Sequence, residues 1–359
     1  MFGENGGGRE GVEILRARVY SAHHASFLHR VFAFLSFMFS SFWIGLQVKN
    51  VDLVWGTSPP IFQGLTAWLL ARIKGAKFLF EVRDLWPKFA IAVGVLKNPL
   101  LIRLAEWLER FLYCHADLVM VNSPGFIAHV QGLGAKRVEL IPNGADPSMF
   151  DPNDDGLEFR RAYGLKAKFV AMYAGAHGMS NDLDVVLDAA KMLRDVTVTS
   201  DIQIVFVGDG KEKPALQKRA QEMKLTNVTF VSSLPKNEMP AALAASDACI
   251  AILKPLEEYK TTYPNKVFDY MAAGRPVLLA IDGVIREVVE AANCGIFVEP
   301  GNPSALAEGL RQLASDREKS RLMGQRGRTY LEEHFSREKI TQDLAKMLEG
   351  LNGERGWDG

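Results

Sequence analysis

Short apolar runs alternate with helical patterns along almost the whole chain, and this alternation constrains the fold more than any other feature. In the first half, runs with strand character lie at residues 12–19, 52–55, 77–82, 117–121 and 138–141. In the second half they lie at residues 169–173, 202–207, 228–231, 248–253, 277–280 and 296–298. Strands that alternate with helices form parallel sheets covered by helices on both faces. The sequence therefore predicts an α/β protein with doubly wound, Rossmann-like parallel sheets.

Residues 142–156 carry the strongest linker signal, with three prolines, two glycines and a run of Asp and Asn. The length of 359 residues suits two domains. We therefore predict one domain over residues 1–150 and a second over residues 151–336. Ligands of doubly wound sheets bind beyond the carboxyl ends of the strands. The chemistry is therefore expected in a cleft between the two domains.

Composition argues against several classes of function. The 42 Lys and Arg residues balance the 42 Asp and Glu residues, so no basic excess favours nucleic acid. The three cysteines form no C-x-x-C pair, which indicates a reducing, cytoplasmic compartment and speaks against structural zinc. No metal site is predicted, and no Walker A sequence or Gly-x-Ser-x-Gly elbow occurs.

Residues 31–48 contain no charged side chain, but they contain five phenylalanines and Trp43. Three interpretations stay open: a core helix of the first domain, a helix that lies in a membrane interface, and a transmembrane span. The serines and the glutamine within the stretch weaken the third interpretation. A membrane surface is therefore a candidate partner of this segment.

The most informative stretch runs Tyr-Pro-Asn-Lys-Val-Phe-Asp-Tyr-Met-Ala-Ala-Gly-Arg-Pro-Val over residues 263–277. Asn265 is expected to cap a helix that ends at Gly274 in a left-handed conformation. A helix start attracts anions, and Lys266 in the first turn opposes the helix dipole unless a phosphate binds there. Asp269, one turn further, suits a ribose diol. The alternative is a solvated Lys and Asp on an ordinary helix.

Three loops of the second half add weaker signals. Residues 173–182 include two glycines that would let the backbone approach a phosphate, and residues 206–210 end a strand in a tight turn. Residues 232–235 could present backbone groups to a base. Each pattern is also common in loops that bind nothing, so the three count only together.

In the first half, Phe-Glu-Val-Arg-Asp-Leu-Trp-Pro at residues 80–87 places two charges and an indole at the end of a strand. Burial of such groups at a strand end costs free energy unless they bind a ligand or pair with each other. Asp84 could orient or deprotonate an acceptor hydroxyl, and Arg83 could hold an anion. The alternative is an internal ion pair of Arg83 with Asp84 or with Glu81.

With these motifs the sequence resembles the family-4 glycosyltransferases, the large retaining group with the GT-B fold. Within that family it looks like the bacterial sugar transferases of capsule and O-antigen synthesis, the group that includes the L-fucosamine transferase. The resemblance runs from about Gly11 to Leu351. The matching segments are residues 57–60, 83–87, 122–123, 141–144, 173–175, 208–210 and 264–277.

The resemblance implies that the second domain binds a nucleotide-sugar donor, uridine-linked, without metal or cofactor. The acceptor would be a lipid-linked glycan at the inner face of the cell membrane, and the helix at residues 337–351 would return to the first domain. Catalytic roles would fall on Asp84, Arg83 and Lys266. The family's paired glutamates fall on Thr261, a departure, and on Asp269. The expected donor-binding residues are Asp269, Asn265, Gly175, His177, Gly178, Asn181, Gly208, Leu234 and Glu287.

Family members begin with a strand, a Gly-Gly loop and a helix that have no counterpart before Gly11. The first domain is therefore expected to be incomplete at its start. This leaves open an inactive nucleotide-binding remnant or scaffold. A GT-B sugar-nucleotide epimerase is a further alternative. A nicotinamide-dependent oxidoreductase is disfavoured because no Gly-x-Gly-x-x-Gly turn follows a strand.

Overall fold

The computed structural model describes residues 6–9, 11–20, 27–151, 153–166, 169–195 and 201–353. Contacts within the chain divide it into two units. Unit 1 comprises Met1–Ile141 together with Met347–Gly359, and unit 2 comprises Pro142–Lys346. The limits expected from sequence for the folding domains, residues 150 and 336, stay predictions.

Unit 1 is built around a four-stranded parallel sheet. Its elements are β1 (Gly6–Arg9), β2 (Val12–Ile14), α1 (Phe27–Gln47), β3 (Leu53–Ser58), α2 (Phe62–Lys74), β4 (Lys77–Val82), α3 (Lys88–Ala92), α4 (Pro99–His115), β5 (Leu118–Val121), α5 (Ile127–Gly132) and β6 (Val138–Leu140). The sheet has the order β3-β4-β5-β6. Phe78 and Phe80 of β4 are buried in one cluster with Ala67 of α2 and Leu112 of α4. These helices therefore cover one face of the sheet.

The strand predicted over residues 12–19 is largely wrong. Only β2 is a strand, and it pairs antiparallel with β1 instead of joining the parallel sheet. Further along, the backbone N–H groups of Arg18 and Tyr20 donate to the hydroxyls of Ser40 and Ser36, at 2.8 and 2.9 Å. Contacts with α1 thus replace a strand partner, which local sequence did not reveal.

The phenylalanine-rich stretch forms α1, which packs on α2. Gly45 allows this contact, because a Cβ there would lie 2.6 Å from a methyl carbon of Leu70. The other side of α1 is exposed, with Phe39 and Trp43 at 73% and 64% of their maximal exposure. Among the helices that the structure describes, none is both long enough and apolar enough to cross a membrane.

Unit 2 contains a six-stranded parallel sheet. Its elements are α6 (Leu157–Ala162), β7 (Phe169–Ala174), α7 (Leu183–Arg194), β8 (Ile202–Val207), α8 (Lys213–Glu222), β9 (Val228–Val231), α9 (Met239–Ala244), β10 (Ala248–Ile252), α10 (Asn265–Ala272), β11 (Val277–Ala280), α11 (Val284–Ala291), β12 (Gly295–Phe297), α12 (Pro303–Ser315), α13 (Arg317–His334) and α14 (Arg337–Gly353), which continues past the limit of the unit.

The strand order of this sheet is β12-β11-β10-β7-β8-β9, so the direction of winding reverses between β7 and β10. Strands β7, β10 and β11 are buried along their whole length, as their continuous apolar sequences predict. Two parallel-sheet α/β units confirm the predicted Rossmann-like fold class. In such sheets the point of reversal is where ligands bind, at the carboxyl ends of the strands.

Candidate functional site

A cavity of about 420 Å³ lies at the carboxyl ends of β7, β8 and β9 in unit 2, beside α10. It is therefore next to the point where the strand order reverses. Its walls come from three loops and two helices. The lining residues are Ala174, Gly175, Ala176, Val207, Gly208, Asp209, Ser233, Leu234, Met239, Leu243, Lys266, Asp269 and Tyr270.

Two of the loops are held together backbone to backbone at the cavity wall. The N–H of His177 donates to the carbonyl of Asp209 at 2.8 Å, and that of Gly175 donates to Val207 at 2.9 Å. A Cβ at Gly208 would lie 2.0 Å from the carbonyl oxygen of Gly175, and one at Gly210 would lie 2.2 Å from that of His177. Glycine is therefore required at both positions by close approach of the backbone.

Lys266 reaches the cavity from the first turn of α10. Its Nζ donates to the hydroxyl of Tyr173 at 2.8 Å and to Oδ1 of Asn181 at 3.2 Å, and no acidic side chain pairs with it among the described residues. Burial without a counter-charge lowers the pKa of Lys266 to about 7. An anion in the cavity would supply that missing charge.

The start of α10 differs from the expectation. Asn265 is the first residue of the helix, Pro264 is its N-cap, and no side chain caps the helix. Asn265 is exposed and does not line the cavity, because its place inside the first turn directs it away from a capping position. The predicted cap is therefore wrong. Gly274, by contrast, has the predicted left-handed conformation, with φ +65°.

Asp269 lines the same cavity one turn further along α10. The surrounding protein removes water from its carboxyl group and raises the pKa to about 6, while the charges of Lys236 and Arg337 act in the opposite direction. More than a third of Asp269 is nevertheless open to solvent, so water moderates this shift. The carboxylate is ionised at neutral pH and can accept hydrogen bonds from a ligand's hydroxyl groups.

Two tyrosines that the sequence did not single out shape the site. The Tyr173 hydroxyl donates to the carbonyl of Ala176 at 2.7 Å while it accepts from Lys266. The Tyr270 hydroxyl accepts from the N–H of Ala174 at 2.9 Å. The available signals were a tyrosine hydroxyl near the end of an otherwise apolar strand and another among the apolar residues of a helix turn.

His177 and Lys213 lie behind the cavity wall. His177 is fully buried, and neither ring nitrogen has a hydrogen-bond partner among the described residues. Burial, followed by the charge of Lys213, lowers the pKa of His177 to about 4, so the ring is neutral at pH 7. Lys213 donates to the carbonyls of Gly208 and Val231, at 2.8 and 3.2 Å, and so supports the loop. No local sequence pattern marks Lys213 as part of this site.

The remaining expected donor residues divide by position. Gly175, Gly208 and Leu234 line the cavity. Asn181 contacts Lys266, and Gly178 begins the turn that carries Asn181. Glu287 lies in the first turn of α11 and is not part of the cavity lining.

In unit 1, Arg83 and Asp84 follow β4, and both are exposed. The pKa of the Asp84 carboxyl group is raised, because the surrounding protein removes water from it. The positive charge of Arg83 acts in the opposite direction but does not cancel this effect. The alternative of an internal ion pair is not realised in the described part of the chain. Glu81 instead accepts a hydrogen bond from Trp55 Nε1 at 3.2 Å. Arg83 and Asp84 thus remain available to a ligand.

Within the ranges that the structure describes, no group of three or more His, Cys, Asp or Glu side chains could hold a metal ion. The expected metal-free chemistry stays a prediction.

Comparison with known families covers both units. The profile described as "Glycosyl transferases group 1" matches residues 157–330, which include the cavity. The profile described as "Glycosyl transferase 4-like domain" matches residues 3–144.

Two curated relatives share about a quarter of their residues with the chain. One is the putative colanic acid biosynthesis glycosyl transferase WcaI of Escherichia coli K12, 25% identical over 83% of this chain and 75% of that protein. The other is the probable glycosyltransferase WbjE of Pseudomonas aeruginosa, 24% identical over 74% of this chain and 67% of that protein.

Two solved structures show the same fold at low identity. Sucrose-phosphate synthase from Thermosynechococcus elongatus has a TM-score of 0.77 and 19% identity, over 95% of this chain and 84% of that chain. HepE of Anabaena in complex with UDP and glucose has a TM-score of 0.73 and 18% identity, over 90% of this chain and 83% of that chain.

Proposed function

The chain belongs to the glycosyltransferases of the GT-B fold, and from that premise we propose that it uses a uridine-linked nucleotide sugar as donor. It transfers the sugar, with retention at the anomeric carbon, to a hydroxyl of a lipid-linked glycan at the inner face of the cell membrane. The product serves the synthesis of a cell-surface polysaccharide.

The observation that carries the proposal is a half-buried lysine, without an acidic partner among the described residues, near the point where the strand order of the unit 2 sheet reverses. Lys266 lies where the diphosphate of a donor would be bound, beside the start of α10. Asp269 is one turn away and can accept hydrogen bonds from the ribose. The cavity thus offers a cation to the phosphates and an anion to the ribose hydroxyls, which are neighbouring parts of a nucleoside diphosphate.

In the proposed reaction, the bond between the anomeric carbon and the diphosphate oxygen breaks, and a bond to the acceptor oxygen forms on the same face. The hydroxyl proton leaves the acceptor toward the departing diphosphate. Lys266 stabilises the negative charge that develops on that diphosphate, an effect that strengthens in the transition state. Arg83 and Asp84 act on the acceptor, by holding an anionic group and by orienting the hydroxyl.

The relatives support the donor and acceptor classes. HepE is described in complex with UDP and glucose and with UDP-glucose. WcaI is described in colanic acid biosynthesis, and a further relative of 21% identity is an O-antigen chain mannosyltransferase of Escherichia coli. These descriptions concern those proteins, and they motivate the choice of probes for this one.

The test is binding and turnover with UDP-glucose, UDP-N-acetylglucosamine and GDP-mannose, for the wild type, Lys266→Ala and Asp269→Ala. Lys218→Ala is the matched control because the Lys218 side chain is 78% exposed and forms an ion pair with Glu222 on the surface. We expect one uridine nucleotide sugar to bind and to be hydrolysed slowly, with both properties lost in the two cavity variants alone.

Other outcomes would favour the other functions. Nucleotide binding without hydrolysis or transfer supports an inactive scaffold. Release of an isomeric nucleotide sugar without an acceptor supports an epimerase. Equal binding by all four proteins would contradict the donor site itself.

A further inference from the structure

The turn that follows β8 forms part of the cavity wall, and its two glycines are fixed by hydrogen bonds. The N–H of Gly208 donates to the carbonyl of Val231 at 3.2 Å, and the carbonyl of Gly208 accepts from Nζ of Lys213 at 2.8 Å. Gly210 donates its N–H to Oδ1 of Asp209 at 2.8 Å and accepts from the N–H of Lys213 at 3.1 Å. Every backbone polar group of the two glycines therefore has a partner.

Asp209, between the two glycines, differs in one group. Its carbonyl accepts from the N–H of His177 at 2.8 Å, and its carboxylate accepts from the N–H of Gly210. Its own N–H has no hydrogen-bond partner among the described residues. Backbone N–H groups in folded proteins are paired with protein, with water or with a ligand. Because Asp209 lines the cavity, its N–H is open to a ligand there.

Lys213 sets the direction of this N–H. Gly208 and Asp209 are joined by a trans peptide bond, in which the C=O and N–H groups point in opposite directions. The ammonium group of Lys213 holds the Gly208 carbonyl from behind the cavity wall. The N–H of Asp209 must therefore point away from Lys213, toward the cavity.

The position of Lys213 is unfavourable for an ordinary lysine. Its residue exposure is only 8%, and no acidic side chain pairs with it among the described residues. It is also the first residue of α8, where the helix dipole disfavours a positive charge. Lysine is almost never buried so deeply without a partner of opposite charge. Its side chain instead donates to the carbonyls of Gly208 and Val231, which indicates that these two strand ends have to be held.

The free N–H and Lys266 belong to the same wall of the cavity, and Gly175 lies between them. A Cβ at Gly175 would lie 3.2 Å from Nζ of Lys266. The carbonyl oxygen of Gly175 in turn would lie 2.0 Å from a Cβ at Gly208. An anion that contacts Lys266 is therefore close to the peptide that joins Gly208 to Asp209.

We propose that the N–H of Asp209 donates a hydrogen bond to a phosphate oxygen of the bound nucleotide, and that Lys213 is the residue that positions this N–H. Lys213 does not touch the ligand. It holds the Gly208 carbonyl, and its charge polarises the peptide, so that the N–H on the other side is both oriented and strengthened as a donor. The inference rests on the proposed function for the nucleoside diphosphate, but the same N–H would bind inorganic pyrophosphate.

The experiment follows the Asp209 amide by NMR in the full chain with isotope-labelled aspartate, during titration with inorganic pyrophosphate and with UDP. The missing signal of Asp209→Glu assigns the resonance. Lys213→Met removes the donors and the charge, whereas Lys213→Arg keeps both. Lys218→Met is the matched control, an exposed lysine of the same helix. Affinities for UDP and for uridine are measured on the same proteins, and melting curves establish that each variant folds.

We expect the Asp209 amide proton of the wild type to shift downfield with pyrophosphate and with UDP, because it is donated to a charged acceptor. Lys213→Met should lose this shift and bind UDP about tenfold more weakly, which is the usual effect of one hydrogen bond to a charged group. Its affinity for uridine, which has no phosphate, should stay the same. Lys213→Arg should recover most of the shift, and Lys218→Met should behave like the wild type.

A purely structural role of Lys213 gives a different result. In that case Lys213→Met loses UDP and uridine affinity by the same factor, or keeps the amide shift, and either result overturns the positioning role. A wild-type Asp209 amide that responds to neither pyrophosphate nor UDP overturns the inference as a whole, even if Lys213→Met does not fold.

The two ligands separate this inference from the proposed function. UDP that binds without a shift of the Asp209 amide rejects the inference and leaves the donor site in place. Pyrophosphate that shifts the amide of a protein that does not bind UDP supports the inference and rejects the proposed donor.

Discussion

Lys266 should take up a proton when a nucleotide sugar binds. Burial lowers the pKa of the free lysine to about 7, so about nine tenths of the side chains are neutral at pH 8. A diphosphate beside Nζ favours the ammonium form and raises the pKa above that pH. We therefore expect uptake of about 0.9 proton per bound ligand at pH 8. At pH 6 the lysine is already charged, and its uptake falls to about 0.1 proton.

Isothermal titration calorimetry with UDP-glucose measures this uptake. The apparent binding enthalpy is compared between phosphate and Tris buffers, whose protonation enthalpies differ, and the difference gives the number of protons. The two phosphates of UDP-glucose do not titrate near pH 8. His177, with a pKa of about 4, and Asp269, with a pKa of about 6, are then already deprotonated. Lys266 is therefore the group that we expect to dominate the signal.

Lys266→Met should abolish the proton uptake and weaken binding. Loss of a charge-assisted hydrogen bond costs roughly 2 kcal/mol, which is about thirtyfold in affinity. Lys218→Met, the matched control at an exposed lysine, should bind and take up protons like the wild type. A wild type without uptake at pH 8, or a Lys266→Met variant with the same uptake, would show that this reasoning is incorrect.

Three further predictions concern the same cavity. Asp269→Asn should remove most of a roughly tenfold preference for UDP over 2′-deoxy-UDP, and competition binding that still favours the ribose form would contradict the assignment. Gly208→Ala should lower the melting temperature and donor affinity because its Cβ would meet the Gly175 carbonyl at 2.0 Å, whereas Gly132→Ala, with open space, should not. The pKa of Lys266 is lowered on folding, so between about pH 7 and the usual value of 10.5 the unfolded chain binds more protons and stability rises with pH. Melting curves of the unliganded protein should show this rise in the wild type, and a similar rise in Lys266→Met would contradict it.

The sequence by itself determined the fold class. Strands buried on both faces must be apolar along their length, and β7, β10 and β11 stand out for that reason. Local chemistry also determined the left-handed glycine that follows α10, since this feature depends on residues close together in the chain. Gly175, Lys266 and Asp269 were predicted as site residues on the same basis, and the donor-binding role of Gly208 came from the family resemblance.

Only the tertiary structure decided which groups surround those residues. The Tyr173 hydroxyl that receives a hydrogen bond from Lys266 is 93 positions away, and no local pattern links the two. Lys213 carried no local signal, and only its contacts with the carbonyls of Gly208 and Val231 place it behind the loop. Asn265 looked like a cap, but a one-residue shift of the helix start removed that role.

The phenylalanine-rich stretch marks the limit of reading function from sequence alone. Its composition left a core helix and an interfacial helix open, and a span less favoured, because an apolar side chain does not specify what will cover it. Packing against α2 used one side of α1 and left Phe39 and Trp43 exposed. That exposure depends on how α1 packs on α2, and only long-range contacts could establish it.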